Sequence, residues 1–174
     1  MSNQITNVEP DHKAQFLSAH DAYADALFRQ CYFRVYDREL AKDLVQEAFC
    51  RTWTYLAKGK KIENIRAFLY RVVNNLIVDA VRKKKPLSLD ELTEEGFSLE
   101  DKSSPDMEKL SIGKEVFQML GMLEESYRTV VMMRFIDELS PKEIAHALGI
   151  SENVVSVRIH RGIRKLHQLT EKQQ

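Results

Sequence analysis

Residues Ser140–Leu166 read SPKEIAHALGISENVVSVRIHRGIRKL, and this stretch decides the fold. Ser140-Pro141-Lys142-Glu143 has the form of a capping box: the Ser140 hydroxyl can accept from the Glu143 amide, and the Glu143 carboxylate can reach back to the Ser140 amide. Pro141 falls at the first helical position, where a missing N–H costs nothing. Ile144, Ala145 and Leu148 give a short apolar face. Gly149 then suits the left-handed residue that ends a helix, and Ile150 can fill the angle between two helices. Ser151 can cap a second helix, with Glu152 at its positive end. That helix buries Val155, Ile159, Gly162, Ile163 and Leu166 at helical spacing. At about 100° of rotation per residue, its other side presents Asn153, Val154, Val157, His160, Arg161, Arg164 and Lys165, with Arg158 alongside. A short capped helix, a glycine turn and a longer basic helix form the DNA-reading helix-turn-helix, whose second helix enters the major groove. Val154 and Val157 can touch thymine methyl groups there or pack on a neighbouring segment.

Upstream, the pattern is helical from about Lys13, without strict apolar alternation or a hairpin dipeptide. Leu40, Leu44, Val45, Ala48, Phe49, Thr52 and Leu56 form one helix face that ends near Gly59, followed by the basic loop Lys58-Gly59-Lys60-Lys61. Ile65, Phe68, Leu69, Val72, Val73, Leu76, Ile77, Ala80 and Val81 mark a second long helix, which runs into Arg82-Lys83-Lys84-Lys85 and stops at Pro86. Val116, Phe117, Leu120 and Leu123, then Val130, Val131 and Phe135, mark two shorter helices before the helix-turn-helix.

The formal charge is zero, with 26 basic and 26 acidic residues, so bulk charge does not bind this chain to nucleic acid. The balance hides an asymmetry. Residues 12–85 carry 15 Lys/Arg against 8 Asp/Glu, residues 86–115 carry 3 against 9, and residues 116–174 carry 8 against 7. Residues 87–109 are acidic and hold Ser and Pro, which predicts a flexible acidic linker. The expected organisation is all-α: a flexible tail over 1–12, a helical domain over 13–86, the linker over 87–109, and a helix-turn-helix domain over 110–174.

Cys31 and Cys50 are expected as small buried hydrophobes in a reducing cytosol. Met1–Lys13 has no signal-peptide pattern, and no apolar run approaches the ~20 residues a membrane span needs, so a cytoplasmic protein without membrane insertion is expected. There is no glycine-rich phosphate loop, metal-ligand cluster or nucleophile–base signature, and the five histidines lack ligand spacing. No enzyme, cofactor, metal or small-molecule substrate is predicted.

Taken together, these motifs resemble the extracytoplasmic-function (ECF) group of bacterial sigma-70 factors. Leu123, Tyr127, Arg128, Val130 and Arg134, followed by Leu139–Leu166, look like region 4. Asp43-Leu44-Val45-Gln46-Glu47-Ala48-Phe49 with Trp53 looks like region 2.2. Asn64–Leu76 with Asp79 and Arg82 looks like regions 2.3 and 2.4. The likeness covers roughly residues 20–86 and 110–168. It implies a subunit that brings core RNA polymerase to promoters and assists melting, with the beta-prime clamp helices and beta flap as partners. Asp43, Leu44, Gln46 and Glu47 match the clamp-binding positions. Lys58, Lys60, Lys61, Asn64, Arg66, Arg71, Asn74, Asn75, Asp79 and Arg82 match the surface that holds a melted minus-10 strand. Asn75 is the expected base contact, Arg71 or Arg82 the expected phosphate contacts, and Asp79 can instead pair with Arg82 one turn on. Ser151, Asn153, Val154, Ser156, Val157, Arg158, Arg161 and Lys165 match the minus-35 surface.

The resemblance also implies a linker that threads the polymerase channel, although acidic residues serve solubility equally well. It implies as well that such factors are often held by an anti-sigma partner. The chain departs from the family pattern at Glu124 (usually Pro), at Glu138 (usually Gly) and at Val154-Val155-Ser156-Val157 (usually Thr-Val-Lys-Ser), so no typical minus-35 preference carries over. The competing reading is a repressor or activator that dimerises on paired half-sites. It leaves Asp43–Phe49 and Asn64–Arg82 without a role, and a purely protein-binding adaptor leaves the basic recognition helix without one.

Overall fold

The computed structural model describes residues 10–84 and 114–171. The expected linker at 87–109 and most of the expected tail lie outside the described residues. Among those described there are seven α-helices and no strand. Two compact units form, one centred on the first three helices and the other on the C-terminal ones.

In the first unit, α1 spans Pro10–Val35, α2 Arg38–Ala57 and α3 Ile65–Lys84. α1 begins three residues before the sequence boundary. Pro10 is tolerated at a first helical position, Asp11 complements the dipole, and His12 is buried. Asp37 caps α2 by accepting from the Leu40 amide at 3.0 Å. Asn64 caps α3 by accepting from the Ala67 amide at 2.9 Å. The core joins Leu27, Cys31 and Phe33 of α1, Ala41, Leu44, Ala48 and Leu56 of α2, and Leu69, Tyr70, Val73 and Ile77 of α3. Phe16 meets Phe49 and Trp53 edge-on at 5.9 and 5.1 Å, which fastens α1 along α2. Thr52, fully buried, donates to the Ala48 carbonyl one turn back, so its hydroxyl is satisfied within the helix. Cys31 is in this core, where burial outweighs Arg34 and pushes its thiol up to about 12. Cys50 corrects the expectation of two buried thiols: it faces outward on α2.

In the C-terminal part, α4 spans Lys114–Gly121, α5 Glu125–Phe135, α6 Pro141–Leu148 and α7 Glu152–Glu171. The capping box forms as its spacing predicts. Ser140 N donates to Glu143 at 2.8 Å, and Glu143 N donates to the Ser140 hydroxyl at 3.3 Å. Gly149 has φ +67°, and Ile150 N donates to the Ala145 carbonyl, closing the six-residue loop of a Schellman turn. Ser151 then caps α7 through the Val154 amide at 3.3 Å. A Cβ on Gly162 would stand 2.7 Å from Val131 Cγ2 and 3.4 Å from Tyr127 Cβ, so glycine lets α7 press against α5.

Glu138, where the family pattern carries glycine, has φ +56°, and Leu139 N donates to Met133 O across it. A left-handed non-glycine residue costs roughly 1–2 kcal/mol, part of which glycine returns as unfolded-state entropy. Glu138→Gly is therefore expected to stabilise the C-terminal helices by about 0.5–1 kcal/mol in urea denaturation. A destabilised variant would mean that the Glu138 side chain contributes more than its backbone costs.

Candidate nucleic-acid interface

α2 turns a polar stripe outward. Asp43, Gln46 and Glu47 are exposed, and Glu47 Oε1 accepts from Arg51 Nε at 2.7 Å. Leu44, predicted with them, is only 7% exposed and packs inward, so it supports this surface without forming it. Beside Gln46 runs a groove of about 650 Å³ between α1 and α2, walled by Phe16, Leu17, Phe28, Val45, Phe49 and Trp53. Sequence reasoning missed it. Its signal is Leu17, next to inward-turned Phe16 yet 53% exposed.

α3 carries Arg71, Asn75, Val78 and Arg82 on one exposed face, spaced by four, three and four residues. Lys58, Lys60 and Lys61 are exposed in the preceding loop, where Gly59 takes φ +72° and Lys60 Nζ lies 5.0 Å from the centre of the Tyr55 ring. The other predicted residues have structural duties. Asn64 is the cap of α3. Asn74 accepts from Arg34 Nη1 at 2.7 Å and ties α3 to α1. Arg66 stacks over Tyr23 at 5.9 Å. Asp79 holds Arg82 at 3.1 Å, the pairing its spacing allows. Arg71 and Asn75 are thus the exposed polar α3 residues on this face that carry none of these duties.

On α7, Asn153, Val154, Ser156, Val157 and Arg161 are exposed, and Arg158 is half-buried. Ser156 donates its hydroxyl to the Glu152 carbonyl at 3.0 Å, leaving an acceptor outward. Lys165, expected on the same surface, already has partners within the protein. Its ammonium pairs with Glu124 and lies 4.7 Å from the centre of the Tyr127 ring. The departure at Glu124 has its explanation here: its φ of −56° would suit proline, but the carboxylate supplies a partner on α7. Among the described residues, no helix is long and apolar enough to cross a membrane.

Comparison with known proteins agrees with this arrangement. The family model for Sigma-70 region 2 matches residues 19–87, and that for Sigma-70, region 4 matches residues 114–166. The ECF RNA polymerase sigma factor SigW of Bacillus subtilis is 30% identical over 178 aligned positions, covering 97% of this chain and 95% of SigW. The chain belongs to the ECF sigma factors of the sigma-70 family. As a sigma factor it acts with core RNA polymerase in promoter-specific initiation of transcription. Two solved structures share the fold of this sigma factor. CnrH in complex with the cytosolic domain of CnrY has a TM-score of 0.63 and 23% identity, covering 93% of this chain and 91% of that one. RpoE in complex with the anti-sigma factor NepR from Bartonella quintana has a TM-score of 0.64 and 16% identity, covering 90% and 97%.

Proposed function

We propose that this sigma factor works in the cytoplasm through three surfaces. Asp43, Gln46 and Glu47 on α2 dock on the clamp helices of the polymerase beta-prime subunit, with polar contacts setting register. Asn75 captures an unpaired base of the minus-10 element, with Arg71 and the Lys58, Lys60 and Lys61 loop on its phosphates. Asn153 to Arg161 on α7 read the minus-35 duplex, and Arg161 binds phosphate. The chemistry of RNA synthesis belongs to the polymerase, and this chain supplies recognition and melting. The observation that supports this reading most is the pairing of an amide with a guanidinium on one exposed face of α3: Asn75 can hydrogen-bond a base edge while Arg71 neutralises its backbone.

The anti-sigma factor NepR is bound to one of the structural relatives, and the exposed α2 stripe and groove give an inhibitor of that kind a surface to compete for here. Transcription in vitro with core polymerase, this chain and random promoter fragments tests the whole proposal. Transcripts that depend on the chain and share two spaced elements are expected, and their absence would remove the reading.

The pairing of Lys165 with Glu124 gives a sharper check on α7. A phosphate contact contributes about 0.9 to the slope of log affinity against log salt. Arg161→Ala should lower that slope by about one in titrations of minus-35 duplex, whereas Lys165→Ala should leave it unchanged. A lowered slope with Lys165→Ala would show that the pair with Glu124 opens on DNA.

A further inference from the structure

Val154 and Val157 are 38% and 40% exposed, whereas Val155 between them is fully buried. The fold gives no reason for the two exposed valines. β-Branched side chains lower helix propensity, and apolar surface adds nothing to solubility. Their placement is informative. The Ser151 cap makes Val154 the third residue of α7, and Val157 follows one turn on. Residues three apart on a helix are neighbours, with Cβ atoms about 5–6 Å apart. Asn153 precedes them, and Arg158 and Arg161 follow each valine by four residues, so the apolar pair lies in the N-terminal half of the helix with cations behind it. The pair borders a depression of about 360 Å³ whose other wall includes Ser126 and Tyr127.

A valine has no donor or acceptor and cannot read G, A or C through their hydrogen-bonding edges. Thymine alone of the four bases presents a methyl group in the major groove. Resting on the proposal that α7 is the groove-reading helix, we infer that Val154 and Val157 are specificity-determining residues that read thymine methyl groups. The minus-35 element preferred by this sigma factor then carries two thymines one or two base steps apart, since the Cβ separation exceeds the step of about 3.4 Å along the duplex.

The test uses the full chain assembled with core polymerase. Duplexes randomised across the upstream element are selected, and each thymine of the winner is replaced by deoxyuridine, which removes the methyl alone. Burying a methyl-sized group contributes about 0.8 kcal/mol, so each contacted thymine should lose about fourfold in affinity. Val154→Ala and Val157→Ala, which favour the helix, should each make one thymine indifferent to that replacement. Deoxyuridine that costs nothing, or alanine variants that still tell thymine from deoxyuridine, would overturn the inference while leaving α7 a DNA reader. Alanine variants that lose polymerase affinity and keep their DNA preference would overturn it in favour of an apolar protein contact. If no upstream sequence is enriched at all, the groove-reading assignment of α7 falls, and this inference with it.

Discussion

Asp43→Arg combined with Gln46→Ala is expected to abolish binding to core RNA polymerase while leaving the helical content of the chain unchanged. Both side chains are exposed on α2, and neither belongs to the core formed by Leu44, Ala48 and Leu56. Replacing them leaves no cavity and no buried polar group without a partner, so folding has little to lose. An interface loses much more. The arginine sets a cation where the partner surface is expected to receive a carboxylate, and the alanine removes an amide from the next turn of the same stripe. Truncating one side of a desolvated charged contact costs about 2–5 kcal/mol, and reversing its sign adds repulsion, so affinity should fall by about a hundredfold or more. Leu44→Ala is the useful contrast. That side chain is buried, and its truncation should cost about 2–5 kcal/mol of stability, with any loss of binding following loss of fold. Pull-down or fluorescence titration with core polymerase, beside circular dichroism of each variant, separates the two cases. Full affinity in the Asp43→Arg, Gln46→Ala protein would detach α2 from the polymerase and leave the apolar groove beside it as the surface to examine.

The parts of this protein that were legible in its sequence are those governed by short-range rules. The Ser140–Glu143 box, the Gly149 turn and the Ser151 cap each span a few residues, and the spacing of the side chains sets their hydrogen bonds. The faces of α2 and α3 followed from helical periodicity for the same reason. What escaped is tertiary. Lys165 pairs with Glu124 from 41 residues away, and Arg34 reaches Asn74 from 40 residues away, so each gives an internal partner to a polar group that the sequence offered to DNA. Cys31 and Cys50 look alike in a helical pattern, yet one lies between packed helices and the other faces outward. The groove beside Gln46 belongs to two helices at once and to neither sequence alone. Glu138 is a different case. The departure from glycine was visible in the sequence, but its cost became visible only with the left-handed backbone at that position.

These long-range pairs also explain why Asn75, and not its neighbour Asn74, should carry the larger effect on promoter opening. Asn74 already accepts from Arg34 at the contact between α1 and α3, whereas Asn75 is exposed on the face shared with Arg71, Val78 and Arg82. A base leaves the duplex at a cost of a few kcal/mol, and a pocket must return that energy through hydrogen bonds and stacking. A good contact of this kind is worth about 1–3 kcal/mol, so Asn75→Ala should slow formation of the open complex by about ten- to a hundredfold. Closed-complex affinity should change much less, because in a paired duplex that base is stacked inside and Asn75 has nothing to hold. Permanganate footprinting of the minus-10 region reads the opening step, and gel shift on a duplex that cannot melt reads the other. A heteroduplex with the minus-10 bases already unpaired should restore much of the rate, because it removes the cost of melting. Asn74→Ala should instead loosen the contact between α1 and α3 and lower stability, with both promoter readouts falling together. If Asn75→Ala weakened duplex binding and opening equally, α3 would be a backbone-binding helix and the single-strand role would have to move elsewhere on the chain.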